Sequence, residues 1–148
     1  MIRRFGTLPK KDTKYRSRPG AYAVLVRNDQ ILLTFQQHPT PEFQLPGGGI
    51  DPHENTIPAL RREIMEETGW TIGAPRRLGA FKEFTFMPEY NLWAEKICHV
   101  YFARPSRQVC DPTEEGHTSH LVSVEEAARL VPNKGSRHFL NQAICALR

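Results

Sequence analysis

Three glutamates, Glu63, Glu66 and Glu67, fall within one stretch, EIMEE, whose neighbours repeat apolar residues at helical spacing. At about 100° per residue the three side chains share roughly a quarter turn of a helix, while Ile57, Leu60, Ile64 and Thr68 gather on another side. Like charges three and four residues apart weaken an isolated helix. Arg62 can answer Glu66 one turn on, but no basic residue follows any of the three at that distance. A divalent cation seated among the oxygens would remove the conflict, and an all-oxygen site suits Mg²⁺ or Mn²⁺. The chemistry to expect is metal-assisted work on an anionic substrate.

The surrounding segment, GGIDPHENTIPALRREIMEETGW, supplies a longer pattern. Gly48, Glu54, Arg62, Glu63, Ile64, Glu66, Glu67, Gly69 and Trp70 occur in the order and spacing G-x5-E-x7-R-E-U-x-E-E-x-G-U, where U is bulky and apolar. This resembles the Nudix box, with Trp70 standing where Ile, Leu or Val is usual. The resemblance implies an α/β protein of the Nudix fold, a mixed β-sheet sandwiched between α-helices. It also implies divalent-metal-dependent hydrolysis of a diphosphate linkage in a nucleoside diphosphate derivative. By position, Glu66 and Glu67 would hold the metal with the carbonyl of Gly47, and Glu63 would be the general base beside them and share in the metal site. Arg62 would orient Glu63 or Glu54, and Glu54 would be either a ligand or a structural partner. Gly48 and Gly49, with Gly47, would let the backbone approach phosphate.

Some members of the family take the base or a further ligand from a loop beyond the box. Glu114, Glu115, His117 and His120 are available there, with Glu115 the first choice. A histidine-based site ranks below an all-oxygen one, because these histidines have no paired cysteines and Mg²⁺ prefers oxygen. Pro88 and Tyr90 lie eighteen and twenty residues past Trp70, and match neither the ADP-ribose nor the dinucleoside polyphosphate marker of the family. A MutT-like nucleotide pyrophosphohydrolase is the default reading. ADP-ribose, dinucleoside polyphosphates and RNA 5′-phosphates are alternative substrates. A non-catalytic nucleotide-sensing module is the alternative of a different class, and retention of every box carboxylate argues against it.

The elements that must position these residues are legible in part. AYAVLV (Ala21–Val26) reads as a buried strand, Asn28-Asp29 as a tight turn, and Ile31–Phe35 as the returning strand. HPTPEFQLPGGG reads as a loop. The box helix should start at Asn55 or Thr56 and end at Gly69. Leu78–Phe86 and Ile97–Ala103 read as strands. Ser123 with Glu126 has capping-box spacing, and a last helix follows Ser136.

The chain has 148 residues and a net charge of +4, enough for one domain with a real core. Its basicity is local: residues 1–19 hold seven Lys and Arg against Asp12 alone, so the rest is slightly acidic. We divide the chain into a basic arm, 1–19, and a Nudix domain, 20–148. A solvated, mobile arm is the simpler expectation, and an RNA grip the alternative. No apolar run is long enough to span a bilayer, and no signal peptide is visible. Three widely spaced cysteines argue against a disulfide framework, so a reducing, cytoplasmic setting is expected. The expected partner is a small nucleotide, with a homodimer compatible with this reading and no membrane involved.

Overall fold

The structure is a computed structural model that describes residues 2–147. Its strands are β1 (Arg3–Arg4), β2 (Arg16–Arg27), β3 (Gln30–Gln36), β4 (Glu42–Gln44), β5 (Gly47–Gly49), β6 (Trp70–Ile72), β7 (Arg76–Met87), β8 (Leu92–Ala103), β9 (Pro105–Gln108) and β10 (His117–Ser123). Its helices are α1 (Thr56–Thr68), α2 (Val124–Leu130) and α3 (Lys134–Leu147). Eight strands form one mixed sheet in the order β1-β7-β8-β2-β3-β10, with β4 paired to β3 and β5 to β2. Strands β6 and β9 form a separate antiparallel pair.

Strand β2 is central because it is apolar on both faces. Ala21, Ala23 and Leu25 pack with Leu32, Leu60, Ile64 and Trp70 beneath α1. Val24, flanked by Tyr22 and Val26, packs with Val100, Phe139 and Leu140 beneath α2 and α3. An unbroken apolar run is what a strand covered by helices on both sides requires. The mixed sheet between helices is therefore as expected from the sequence. No helix among the described residues is long and apolar enough to cross a membrane.

The local signals held where chemistry was short-range. Asn28 and Asp29 both take positive φ, 50° and 63°, in the turn between β2 and β3. Ser123 accepts from the Glu126 N–H at 3.1 Å and caps α2. Asn55 is the N-cap of α1, without a side-chain bond, and Gly69 ends the helix at φ 76°. A side chain there would collide with the Cys110 carbonyl.

Three expectations need correction. The segment read as a loop carries β4, which pairs with β3, and β5, whose glycines pair with Gly20–Tyr22 through backbone groups alone. The last helix starts at Lys134, where Asn133 Oδ1 accepts from the Ser136 N–H at 2.9 Å. The arm is not free: β2 begins at Arg16, five residues before the expected start, and β1 pairs in parallel with β7. Phe5 anchors it edge-on to Phe81 with centroids 5.7 Å apart, and Tyr15 packs on Phe84 at 4.9 Å. Single aromatics among basic residues leave no periodic signature.

Phe5→Ala is therefore expected to lower unfolding free energy by about 1–2 kcal/mol, below the usual core-phenylalanine cost because Phe5 is only half-buried. Lys11→Ala, at an exposed position, should change it by less than about 0.5 kcal/mol. Urea midpoints of the two variants check this. Equal midpoints would mean that the arm adds nothing to the fold.

Candidate active site

Helix α1 buries Ala59, Leu60 and Ile64 and turns its acidic side toward the glycine strand β5. Arg62 organises that side. Its Nε and Nη2 donate to the two oxygens of Glu54, both at 2.7 Å. Its Nη1 donates to Glu66 at 2.7 Å and to Glu63 at 3.0 Å, and Nη2 also reaches the Gly49 carbonyl at 3.2 Å. One guanidinium thus holds three carboxylates in a fixed fan. The hydrogen bonds from Arg62, joined by that from the Asp51 N–H, lower the Glu54 pKa to about 2. Both Glu54 oxygens are thus engaged by Arg62.

Glu63 lies directly over Gly48, where any β-carbon would run into its carboxylate. Its side chain is only 15% exposed. Burial raises its pKa to about 7, Arg62 opposes that rise, and Glu114 and Glu66 add to it. Glu67 is still deeper, at 5% exposure, and its Oε1 accepts from the Gly47 N–H at 3.0 Å. Burial pushes its pKa well above the ordinary carboxylate range, and Glu63, Glu114 and Glu66 add to the shift. What ties Gly47 to the cluster is thus its N–H.

The loop before β10 is fastened to the end of α1. The N–H groups of Thr113 and Glu114 donate to the Glu66 carbonyl at 2.8 and 2.9 Å, and the Val109 N–H donates to the Gly69 carbonyl at 2.8 Å. These bonds satisfy carbonyls that the helix end leaves open. They also deliver Glu114 and His117 to Glu67, so that one ligand atom from each of the three lies within 4.8 Å of the others. His117 Nδ1 is 3.9 Å from Glu67 Oε2 and 2.9 Å from Thr34 Oγ1. Burial lowers the His117 pKa, against the pull of Glu114, which favours the neutral ring that can offer a lone pair.

This donor set fits a divalent cation. Glu67 is buried in a setting that disfavours its charge, with Glu63 and Glu114 adding to that penalty, and a cation would offset it. The loop candidates sort differently from expectation. Glu114 joins Glu67, whereas its neighbour Glu115, which lines the same cleft, lies outside the trio. His117, ranked low from sequence because Mg²⁺ prefers oxygen, is in the trio. His120 packs on Phe43, with centroids 5.3 Å apart. Adjacent positions in an irregular loop give no hint of which side chain turns inward.

Glu63, Glu67, Glu114, Glu115 and His117 all line one cleft of about 810 Å³. A family model, the NUDIX domain, matches residues 16–143. The chain belongs to that family. The match begins at Arg16, where β2 starts, and ends within α3. The chain is 32% identical over 78 residues to a Bacillus subtilis (strain 168) protein provisionally named an 8-oxo-dGTP diphosphatase, covering 53% of this chain and 52% of that one. It is 28% identical over 120 residues to a CMP-5′-(N-acetyl-N-hydroxy-3-aminopropyl)phosphonate hydrolase of Streptomyces rubellomurinus (strain ATCC 31215), covering 76% and 55%. The chain thus spans about half the length of the curated relatives it matches. A NUDIX hydrolase from Nitrosomonas europaea shares its fold, with a TM-score of 0.71 at 16% identity over 90% of this chain and 92% of that one.

Two outcomes follow for the Nudix centre. In metal-free protein, folded Glu63 holds its proton up to about pH 7, against 4.5 for an ordinary glutamate. Stability from this group is therefore fully present below about pH 4.5 and lost as the pH rises to about 7, by on the order of 3 kcal/mol. Chemical denaturation across that range should show a shallower decline for Glu63→Gln, and parallel curves would place the proton elsewhere. Mg²⁺ or Mn²⁺ at a hundredfold excess over Kd should stabilise the protein by about 2.7 kcal/mol. Glu67→Gln should remove most of that gain and Glu115→Gln little of it, as read from melting temperature with and without the ion.

Proposed function

We propose that this protein hydrolyses a diphosphate linkage in a nucleoside diphosphate derivative, in the manner of MutT-like nucleotide pyrophosphohydrolases, with Mg²⁺ or Mn²⁺ at the Glu67 end of the cleft. The observation that carries the reading is the placement of Glu63: its carboxylate lies over Gly48, held by Arg62, in the same cleft as the Glu67, Glu114 and His117 donors, and burial raises its pKa. A general base works best when its pKa lies near the working pH. The bound ion would neutralise charge on the phosphate oxygens and lower the pKa of water. Glu63 takes the proton of the attacking water as the new oxygen–phosphorus bond forms and the bridging phosphoanhydride bond breaks. Arg62 holds Glu63 Oε1 at 3.0 Å, which leaves Oε2, over Gly48, for the water. Glu66, bound to Arg62 and 36% exposed, completes the anionic fan and can take an ion on its outer side.

The relatives support the same class, since one is named a diphosphatase and the other a hydrolase of a CMP phosphonate. A panel of nucleotides, nucleotide sugars and dinucleotides with either ion, products identified by mass, tests the class. Single-turnover rates test the roles. Glu63→Gln should lower the rate by roughly 10²–10⁴ with ion affinity little changed, whereas Glu114→Gln and His117→Ala should weaken ion binding first. A Glu63→Gln protein within tenfold of wild type would move the base to the loop.

A further inference from the structure

The strand register sets three charges in one row across the sheet. Arg18 of β2 stands opposite Lys96 of β8, and Lys96 opposite Glu83 of β7. Opposed residues put their side chains on the same face, and this face also carries Tyr22, Cys98 and Phe81. All six line the cleft that holds Glu63 and Glu67. Lys96 Nζ lies 3.9 Å from Glu83 Oε1, with the two side chains only 26% and 19% exposed. Asn133 Nδ2 reaches both Glu83 oxygens, at 3.3 and 3.1 Å, and is itself fixed by capping α3. A charge pair drawn this far from water is a weak source of stability. Its placement on the cleft floor points to recognition.

We propose that Glu83 and Lys96 form the edge that reads the substrate's base, and that this base is a 6-oxopurine. The inference rests on the reading of the cleft as a nucleotide-hydrolysing site. A carboxylate accepts two side-by-side N–H donors, and an ammonium beside it donates to a carbonyl. Guanine presents that row: O6, then N1–H, then the 2-amino group. Adenine, cytosine and uracil each set one donor beside one acceptor, which leaves a Glu83 oxygen unmatched. Asn133 uses one lone pair of each oxygen, and a carboxylate has about four to give. Tyr22 joins the two ends of the cleft. Its ring lies against Gly47, whose N–H holds Glu67, and Lys96 Nζ is 5.8 Å from the ring centroid. A nucleoside laid along Tyr22 would have its base on the charged row and its phosphates toward Glu67.

The test compares GTP, ITP and ATP, because ITP keeps O6 and N1–H but lacks the 2-amino group. Wild type should favour GTP over ITP by about tenfold or more in kcat/KM, the size of one hydrogen bond to a charged group. Glu83→Gln should collapse that preference to about twofold and raise ATP relative to GTP, because the amide offers adenine the one donor and one acceptor that its N1 and 6-amino group match. Lys96→Met should lower GTP and ITP together, since both offer O6. Equal use of GTP and ITP by wild type, or a parallel loss on all three nucleotides in Glu83→Gln, overturns the assignment and leaves hydrolysis standing. Calorimetric binding of GMP, IMP and AMP to the wild-type protein gives the converse arm and needs no variant to fold. GMP selectivity without turnover of any nucleotide would overturn hydrolysis and support the base edge. Equal binding of GMP and IMP would overturn the edge.

Discussion

The structure turns on a conflict of charge. Four carboxylates, Glu54, Glu63, Glu66 and Glu67, crowd one side of α1 and its approach, and Arg62 meets three of them through short bonds. The fourth, Glu67, is beyond its reach and has a single backbone donor, Gly47. The site is therefore divided. Its outer three carboxylates are tied down by a single guanidinium, while the inner one is left short of positive charge, and that inner half is where the proposed cation would sit.

That division depends on glycine. Gly48 lets Glu63 lie against the backbone of β5, so the carboxylate is shielded from water while Arg62 still orients it. Shielding is what moves its pKa to about 7, since burial is the largest influence and the arginine opposes it. The same geometry that lowers stability at neutral pH would suit the group to the role of base proposed for it. Function here is located where the fold is least comfortable.

Strand β2 links the carboxylate cluster to the charged row. On one face it supports α1 through Ala21, Ala23 and Leu25. On the other it carries Tyr22 and Arg18 to the charged row with Lys96 and Glu83. The N-terminal segment belongs to this arrangement, because Arg16 and Arg18 lie in paired strand and line the cleft. Positive charge that reads as a tail in the sequence is, in the fold, part of the rim.

The sequence by itself determined the helix, its caps and its acidic face, because those depend on residues within a few turns of one another. Asn55, Gly69 and the Glu63–Glu66–Glu67 spacing are local facts, and α1 follows from them. The buried run Ala21–Val26 likewise announced a strand covered on both sides. Tertiary structure alone chose Glu114 over Glu115, since two backbone bonds to the Glu66 carbonyl, some fifty residues back in the chain, set which side chain faces Glu67. It alone also brought His117 to the cluster, by registering β10 on β3 so that the ring meets Thr34. The row of Arg18, Lys96 and Glu83 has the same origin. Its members come from three strands, and only the pairing register, a long-range property fixed by packing on both faces of the sheet, makes them neighbours.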